Sequence, residues 1–240
     1  GFLCLLRGVA MRGGIRVTHL LCVGNRQTGA QLVRCGLDFG AGAIKLYARG
    51  QGIQLPSQVA VDNGRRIGRL HGLERQKRAM LVSTSQGDFY VGESAHDAGM
   101  AIENLGLERF SGAPEIEALM YGATTRHIQR HGALEIPVSL TVGLPLESLS
   151  GEDAQATVDS VQRWTKGQHT WQVDGQNFAL VVADVRVTSQ PVGGLFDFLL
   201  DSEGRFVPGR REMFNQEVGI ISVGMSTTEL LVVRNRVPVQ

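Results

Sequence analysis

The stretch Leu37-Asp38-Phe39-Gly40-Ala41-Gly42-Ala43-Ile44-Lys45 decides how this chain reads. It closes a short apolar run over 32–39, turns at Gly40-Ala41-Gly42 and opens a second apolar run over 43–48: strand, tight turn, strand. A turn with two glycines exposes consecutive backbone N–H groups with no Cβ in the way, a concavity suited to phosphate. Asp38 enters that turn from the strand. A carboxylate there can orient water on a magnesium ion, since Mg²⁺ keeps several waters and takes only one or two protein carboxylates. Lys45 stands on the returning strand within reach of the same phosphates, and it is one of only three lysines, with Lys77 and Lys166, in a chain rich in arginine. Taken alone, a Gly-x-Gly turn fits a plain hairpin with an exposed lysine equally well.

Outward from this turn the hydrophobic period changes legibly. Residues 55–61 read as a third strand whose Pro56 belongs at a sheet edge. Residues 65–78 are basic and Gly-broken, part of an excursion at about 64–112 expected to present a polar surface. Within it, 79–84 and 89–91 read as a hairpin and 94–104 as a short helix. Residues 114–131 carry Ile116, Leu119, Met120, Ala123 and Ile128 at helical spacing, with Pro114 suited to the first turn and Gly132 to the stop. A strand over 136–142 and a polar helix over 151–166 follow. Then come a hairpin over 171–176 with an Asp-Gly turn, a β-rich run over 178–188 and an apolar helix through Leu200. A polar connection over 201–217 leads to a second strand, turn, strand at 218–223 and 229–233. The mixture predicts an α/β protein with hairpins, not a purely βαβ doubly wound sheet.

Gln190 is the second informative position. Preceding Pro191 it reads as extended, with Pro191 at the first position of a helix, so its amide sits at a helix N-terminus, where anions bind and a water can be held against a phosphate. A capping glutamine on an ordinary strand-to-helix turn is the plainer alternative. His127 and His131 lie at i, i+4, but without the zincin glutamate they read as a solvated helix face. Walker A, Gly-x-Ser-x-Gly and Gly-x-Gly-x-x-Gly signatures are missing from the positions where they would carry chemistry.

Composition bounds the rest. The chain has 240 residues, 42% of them hydrophobic and 20% charged, with a formal net charge of +1, which excludes a disordered tail protein and leaves no basic excess for direct binding of nucleic acid or an anionic membrane. Glycine, at 31 residues, is in excess and suits a ligand-cradling fold. Cys4, Cys22 and Cys35 are odd in number and lack Cys-x-x-Cys spacing, so a reducing cytoplasm is the expected compartment. The apolar opening is too short to span a bilayer, and residues 1–31 are set apart as an N-terminal extension, spurious or disordered.

Five pieces then fall in order: 37–45, Leu55-Pro56-Ser57, Tyr90-Val91-Gly92-Glu93-Ser94-Ala95, Val142-Gly143-Leu144-Pro145 and Gln190-Pro191-Val192-Gly193, followed by 219–229. Together they resemble the actin superfamily and, within it, the plasmid-segregation ParM/StbA type and related bacterial and archaeal actin-like proteins. The resemblance covers about 32–235. It implies a ribonuclease H-like fold, a mixed sheet flanked by helices, with domain I over 32–213 and the opening hairpin of an incomplete domain II over 214–240. It also implies ATP, or GTP in its place, with Mg²⁺, self-association into filaments, and a DNA-bound adaptor protein as partner. By the same resemblance Gly40, Ala41, Gly42 and Lys45, with Gly224, Thr227 and Thr228 of a second turn, bind the phosphates. Asp38 holds the metal through water, and Gln190 orients the attacking water.

Two departures qualify this. The family's second phosphate turn opens with aspartate where this chain has Ser222, and the chain stops soon after that turn, before the parts that hold adenosine in relatives. The expectation is a fragment or a degenerate copy, with weak ATP binding and poor hydrolysis as given. The competing readings are a nucleotide-independent interaction module and a sugar or acetate kinase. The kinase is disfavoured because Gln190 cannot take a proton from an acceptor.

Overall fold

The computed structural model describes residues 32–64, 79–103, 106–201 and 204–239. The expected strand, turn, strand is present. β1 (Val33–Phe39) and β2 (Ala43–Ala48) are antiparallel, with Asp38 opposite Lys45. β1 is buried along most of its length, as a strand covered on both faces must be. β2 alternates instead, turning Ile44, Leu46 and Ala48 inward.

The single strand expected over 55–61 is two. The chain breaks at Ser57-Gln58 into β3 (Gln51–Pro56), paired with β2, and β4 (Val59–Val61), which pairs elsewhere. Pro56 ends the outermost strand, as a residue without an N–H should.

β5 (Met80–Thr84) and β6 (Gly87–Val91) form the expected hairpin, tightened to a two-residue turn at Ser85-Gln86. Residues 65–78 lie outside the described residues. The strands beside them are not the polar surface expected, since Met80, Val82, Phe89 and Val91 join the main core. The inward positions of this hairpin are apolar whatever the charge of its neighbours. The helix expected over 94–104 is one turn, α1 (Ala95–Ala98), followed by the two-residue β7 (Met100–Ala101) against β4. Gly99 between them is extended and passes so close to Val61 that a Cβ would lie 2.3 Å from the Val61 carbonyl oxygen, so the chain straightens there.

α2 (Pro114–His131) has the expected bounds, and the Gly132 N–H donates to the Ile128 carbonyl at φ +93°. It buries Ile116, Leu119, Met120 and Ala123 in the main core. His127 corrects the expected solvated face: it is 1% exposed, and only His131 reaches the surface. Enclosure of nearly the whole helix puts His127 inside, and that burial lowers its imidazole pKa below the usual value.

β8 (Val138–Leu144), α3 (Ala154–Thr165), β9 (Gly167–Val173) and β10 (Gln176–Ser189) complete the main layer. Asp174 and Gly175, both at positive φ, make the expected hairpin turn. β10 pairs antiparallel with β9 along its first half, shifts register between Val182 and Asp184, and then runs parallel to β8. The ten-stranded sheet has the order β3-β2-β1-β8-β10-β9-β5-β6-β4-β7, so β1, β8 and β10 are parallel neighbours at its centre.

α4 (Gln190–Leu199) begins one residue earlier than expected, with Gln190 inside its first turn and Ser189 before it in extended backbone. It packs with a second sheet made of β11 (Glu217–Val223), β12 (Thr228–Arg234) and an unforeseen β13 (Val237–Val239). Leu195, Leu199 and Leu200 share a separate small core with Leu231 and Val233, and Ile220 packs beside them. On the other face Ile221, Leu230 and Val223 are exposed, because alternation sends successive residues to opposite sides. Among the described residues no helix is long and apolar enough to cross a membrane.

Candidate functional site

Parallel pairing aligns the chemistry. Asp38 of β1 is level with Gly143 of β8, and Gly143 with Thr188 of β10, so Asp38 and Gln190 emerge at the same edge of the sheet, beyond the carboxyl ends of three adjacent strands. Open α/β sheets bind ligands at such an edge.

The Gly40-Ala41-Gly42 turn is held from behind. The Ser57 hydroxyl donates to the Gly40 carbonyl at 2.7 Å, and the Ser57 N–H to the Gly42 carbonyl at 3.1 Å. Gly40 must lack a side chain, since a Cβ would lie 2.6 Å from the Ala43 carbonyl oxygen. Beneath the turn Phe39 packs against Phe110 and Trp164, and the buried Arg109 guanidinium donates to the Phe39 carbonyl. Burial holds that guanidinium below its usual pKa.

Lys45 and Asp38 are joined more tightly than the sequence suggests: Lys45 Nζ donates to Asp38 Oδ2 at 2.8 Å. Asp38 Oδ1, by contrast, is buried and has no hydrogen-bond partner, and the same is true of Gln190 Nε2. Orphaned polar atoms of this kind are expensive in a folded chain unless a ligand completes them.

The second turn, 224–227, is closed by the Gly224 N–H donating to the Thr227 carbonyl at 2.8 Å, with Thr228 opening β12. It faces the first turn, because Met225 lies against Gly42. Gly40, Ala41, Gly42 and Lys45 are therefore brought beside the second turn that bears Gly224, Thr227 and Thr228. Sequence reasoning missed Glu229. It sits opposite Ser222 across the β11–β12 pair, is 8% exposed, and its Oε1 accepts a hydrogen bond from the Leu146 N–H beyond β8. Burial raises its carboxyl pKa, and the charges of Asp38 and Glu147 raise it further against the lowering effect of the Leu146 N–H. Ser222, where the resemblance leads one to expect an aspartate, thus has a carboxylate opposite it on the neighbouring strand. The available signal was a glutamate directly ahead of the apolar run Leu230-Leu231-Val232-Val233. Among the described residues no three His, Cys, Asp or Glu side chains converge as direct metal ligands.

No curated protein sequence matches the chain. Among solved structures it is similar to the apo ParM protein of pSK41, at 15% identity and a TM-score of 0.68, over 87% of this chain and 64% of that one. It is similar to the archaeal actin homolog Ta0583 solved in complex with ADP, at 19% identity and a TM-score of 0.58, over 87% of this chain and 58% of that one. A third likeness is to AlfA from the B. subtilis plasmid pLS32, solved as a filament, at 15% identity and a TM-score of 0.53, over 85% and 72%. The chain spans a little under two thirds of the ParM length. These likenesses give the actin-like ATPase fold. The model of the actin-like proteins N-terminal domain matches residues 36–193, more than half of the sequence, and the chain belongs to that family.

Proposed function

We propose that this chain is the nucleotide-binding first part of an actin-like protein of the plasmid-segregation type, whose complete form assembles into ATP-regulated filaments. The observation that carries this reading is the pair of buried, unpartnered atoms, Asp38 Oδ1 and Gln190 Nε2, at one edge of the sheet beside two facing glycine turns. The turn over Gly40, Ala41 and Gly42 would take phosphate oxygens on its N–H groups, and Gly224, Thr227 and Thr228 would take them from the other side. Asp38 would hold Mg²⁺ through water, with Glu229 as the nearest second carboxylate. The ion would supply charge neutralisation on the phosphates. Lys45, once released from Asp38, would add a point charge. Gln190 would orient the attacking water, and having no basic atom it would act by position and not by proton removal. ATP is the expected nucleotide, with GTP as the alternative. In this reading domain I covers 32–213 and domain II opens at 214. Self-association is expected in complete relatives, with a DNA-bound adaptor as the further partner and the cytoplasm as the compartment.

Titration calorimetry with ATP and Mg²⁺, run beside light scattering of the same protein, tests the reading. Heat of binding with micromolar to millimolar affinity supports it, and no binding of ATP or GTP at any magnesium concentration overturns it. A second reading, an interaction module that works without nucleotide, is favoured by one arrangement: Lys45 is engaged by Asp38 and Met225 occupies the space beside Gly42. A partner interaction indifferent to ATP and Mg²⁺ would support it.

A further inference from the structure

At the far end of β2 from the glycine turn, α2 brings two histidines together. His127 and His131 lie one turn apart near the end of the helix, with ring centroids 5.0 Å apart and the ring planes tilted by 57°. Their surroundings differ. His131 is exposed, whereas His127 is buried, and neither its Nδ1 nor its Nε2 makes a hydrogen bond of proper length and angle. The backbone of Ala48 and Gln51, which face each other across the β2–β3 turn, lies beside the His127 ring and favours its protonated form. Burial outweighs that effect and keeps the ring neutral.

A contact between two rings would account for the distance but not for the unmet nitrogens. Buried polar atoms without partners are costly unless a ligand completes them, and a neutral imidazole is the form that ligates metal. The separation fits such a ligand. With Zn–N bonds of about 2.0–2.1 Å, two imidazoles at a tetrahedral angle on one ion have centroids about 5 Å apart, the spacing found between His127 and His131. Placement at i, i+4 lets two rings on one helix reach the same ion. The negative end of the helix dipole favours a cation there as well. Arg49 opposes one, since its charge is felt at His127, although its Nη1 donates to the Ala133 carbonyl at 3.2 Å. Imidazole nitrogens select zinc, nickel or copper over the oxygen-seeking Mg²⁺ and Ca²⁺.

We propose that His127 and His131 form a two-histidine site for a divalent transition-metal ion of the zinc, nickel and copper class, with the remaining coordination positions left to water. The ion would bridge the last turn of α2 beside the β2–β3 turn. Asp38 is paired with Lys45 near the start of β2, and Ala48 ends that strand, so this site is separate from the Mg²⁺ position beside Asp38.

Zinc sulfate titrated into the ¹⁵N-labelled full chain, with the histidine ring nitrogens followed by long-range proton–nitrogen NMR, tests the proposal. The His127 and His131 signals should shift together and saturate at micromolar zinc. His169, whose ring nitrogens are engaged by Tyr121 and by the Thr165 carbonyl, should stay in place. Magnesium at the same concentrations should move neither of the paired rings. His131→Ala, at an exposed position, should weaken the zinc response of His127 by at least about tenfold, since removing even an outer-shell partner of a metal costs that much. Zinc should also raise the melting temperature of wild type and lose most of that effect in His131→Ala. A folded wild-type protein whose His127 ring is unmoved by millimolar zinc overturns the proposal. So does a His127 response that is the same in His131→Ala as in wild type, which would leave the two rings as an aromatic contact only.

Discussion

Gly42 and Met225 face each other across the two turns: a Cβ on Gly42 would lie 3.1 Å from Met225 Cβ and 3.2 Å from its Sδ. The space between the two turns, which a phosphate group would need, is thereby shared with a thioether side chain. Met225 is otherwise 77% exposed, so shortening it opens no core. Met225→Gly should therefore tighten ATP binding by roughly three- to tenfold, on the order of 1 kcal/mol, as read by calorimetric titration. Equal affinities for variant and wild type would mean that the methionine yields freely and obstructs nothing.

The first turn should be more sensitive to its support than to its own loop residues. Ser57→Ala removes the hydroxyl that donates to Gly40 and leaves that carbonyl short of a partner. The cost should be about 1–2 kcal/mol, seen as a lower urea midpoint with an unchanged slope. Gly40→Ala is harsher. Its new Cβ meets backbone, the Ala43 carbonyl at 2.6 Å, which cannot move without displacing β2. About 1–3 kcal/mol is expected, the range of overpacking, and a smaller loss than that of Ser57→Ala would contradict the geometry.

How much of this was legible depended on whether the deciding contact was local. The Asp38 to Lys45 turn, the bounds of α2 and the Asp174-Gly175 hairpin follow from period, proline and glycine within a few residues. The break at Ser57-Gln58 and the straightening at Gly99 do not, because each is set by a partner far along the chain: Gly42 for Ser57, Val61 for Gly99. His127 was misread for a similar reason, since two histidines on one helix face say nothing about what covers that face. In the candidate site, the alignment of Asp38 with Gln190 needed the parallel register of β1, β8 and β10. Glu229 lies in the expected β11–β12 hairpin, but its place in the site is set by the Leu146 N–H, a partner far along the chain that the local pattern does not show.

Glu229 makes a pH prediction with a definite sign. Its folded-state pKa is raised, first by burial and then by Asp38 and Glu147. A group raised on folding contributes stability below its unfolded value, and that contribution is lost as pH rises through its folded value. As pH rises towards neutral, Glu229 is thus a growing liability. Glu229→Gln, which keeps an oxygen for the Leu146 N–H, should raise the melting temperature at neutral pH and lose that advantage in acid. A divalent cation that binds beside Asp38 would relieve the same liability in wild type, since ligands of the folded state stabilise by mass action. Magnesium should then raise the wild-type melting temperature more than that of the variant, and equal magnesium responses would place Glu229 outside the metal's field.

Gln190 carries the sharpest test of the chemistry. Its Nε2 is buried without a partner in the first turn of α4, level with the carboxyl ends of β1 and β8, and its amide can orient a water but not deprotonate it. In a protein that carries the second domain proposed above, Gln190→Ala should slow ATP hydrolysis by roughly one to three orders of magnitude, the loss that follows removal of a positioning or stabilising group. Affinity for ATP should change little, because Gln190 is not among the groups expected to hold the phosphates. Ser222→Asp should act in the opposite direction by restoring negative charge on the metal side. Turnover should rise in that variant, and more so in the presence of excess Mg²⁺. If Gln190→Ala leaves the turnover of an active extended protein unchanged, the water is held by another residue, and the Gln-Pro turn serves only to start α4.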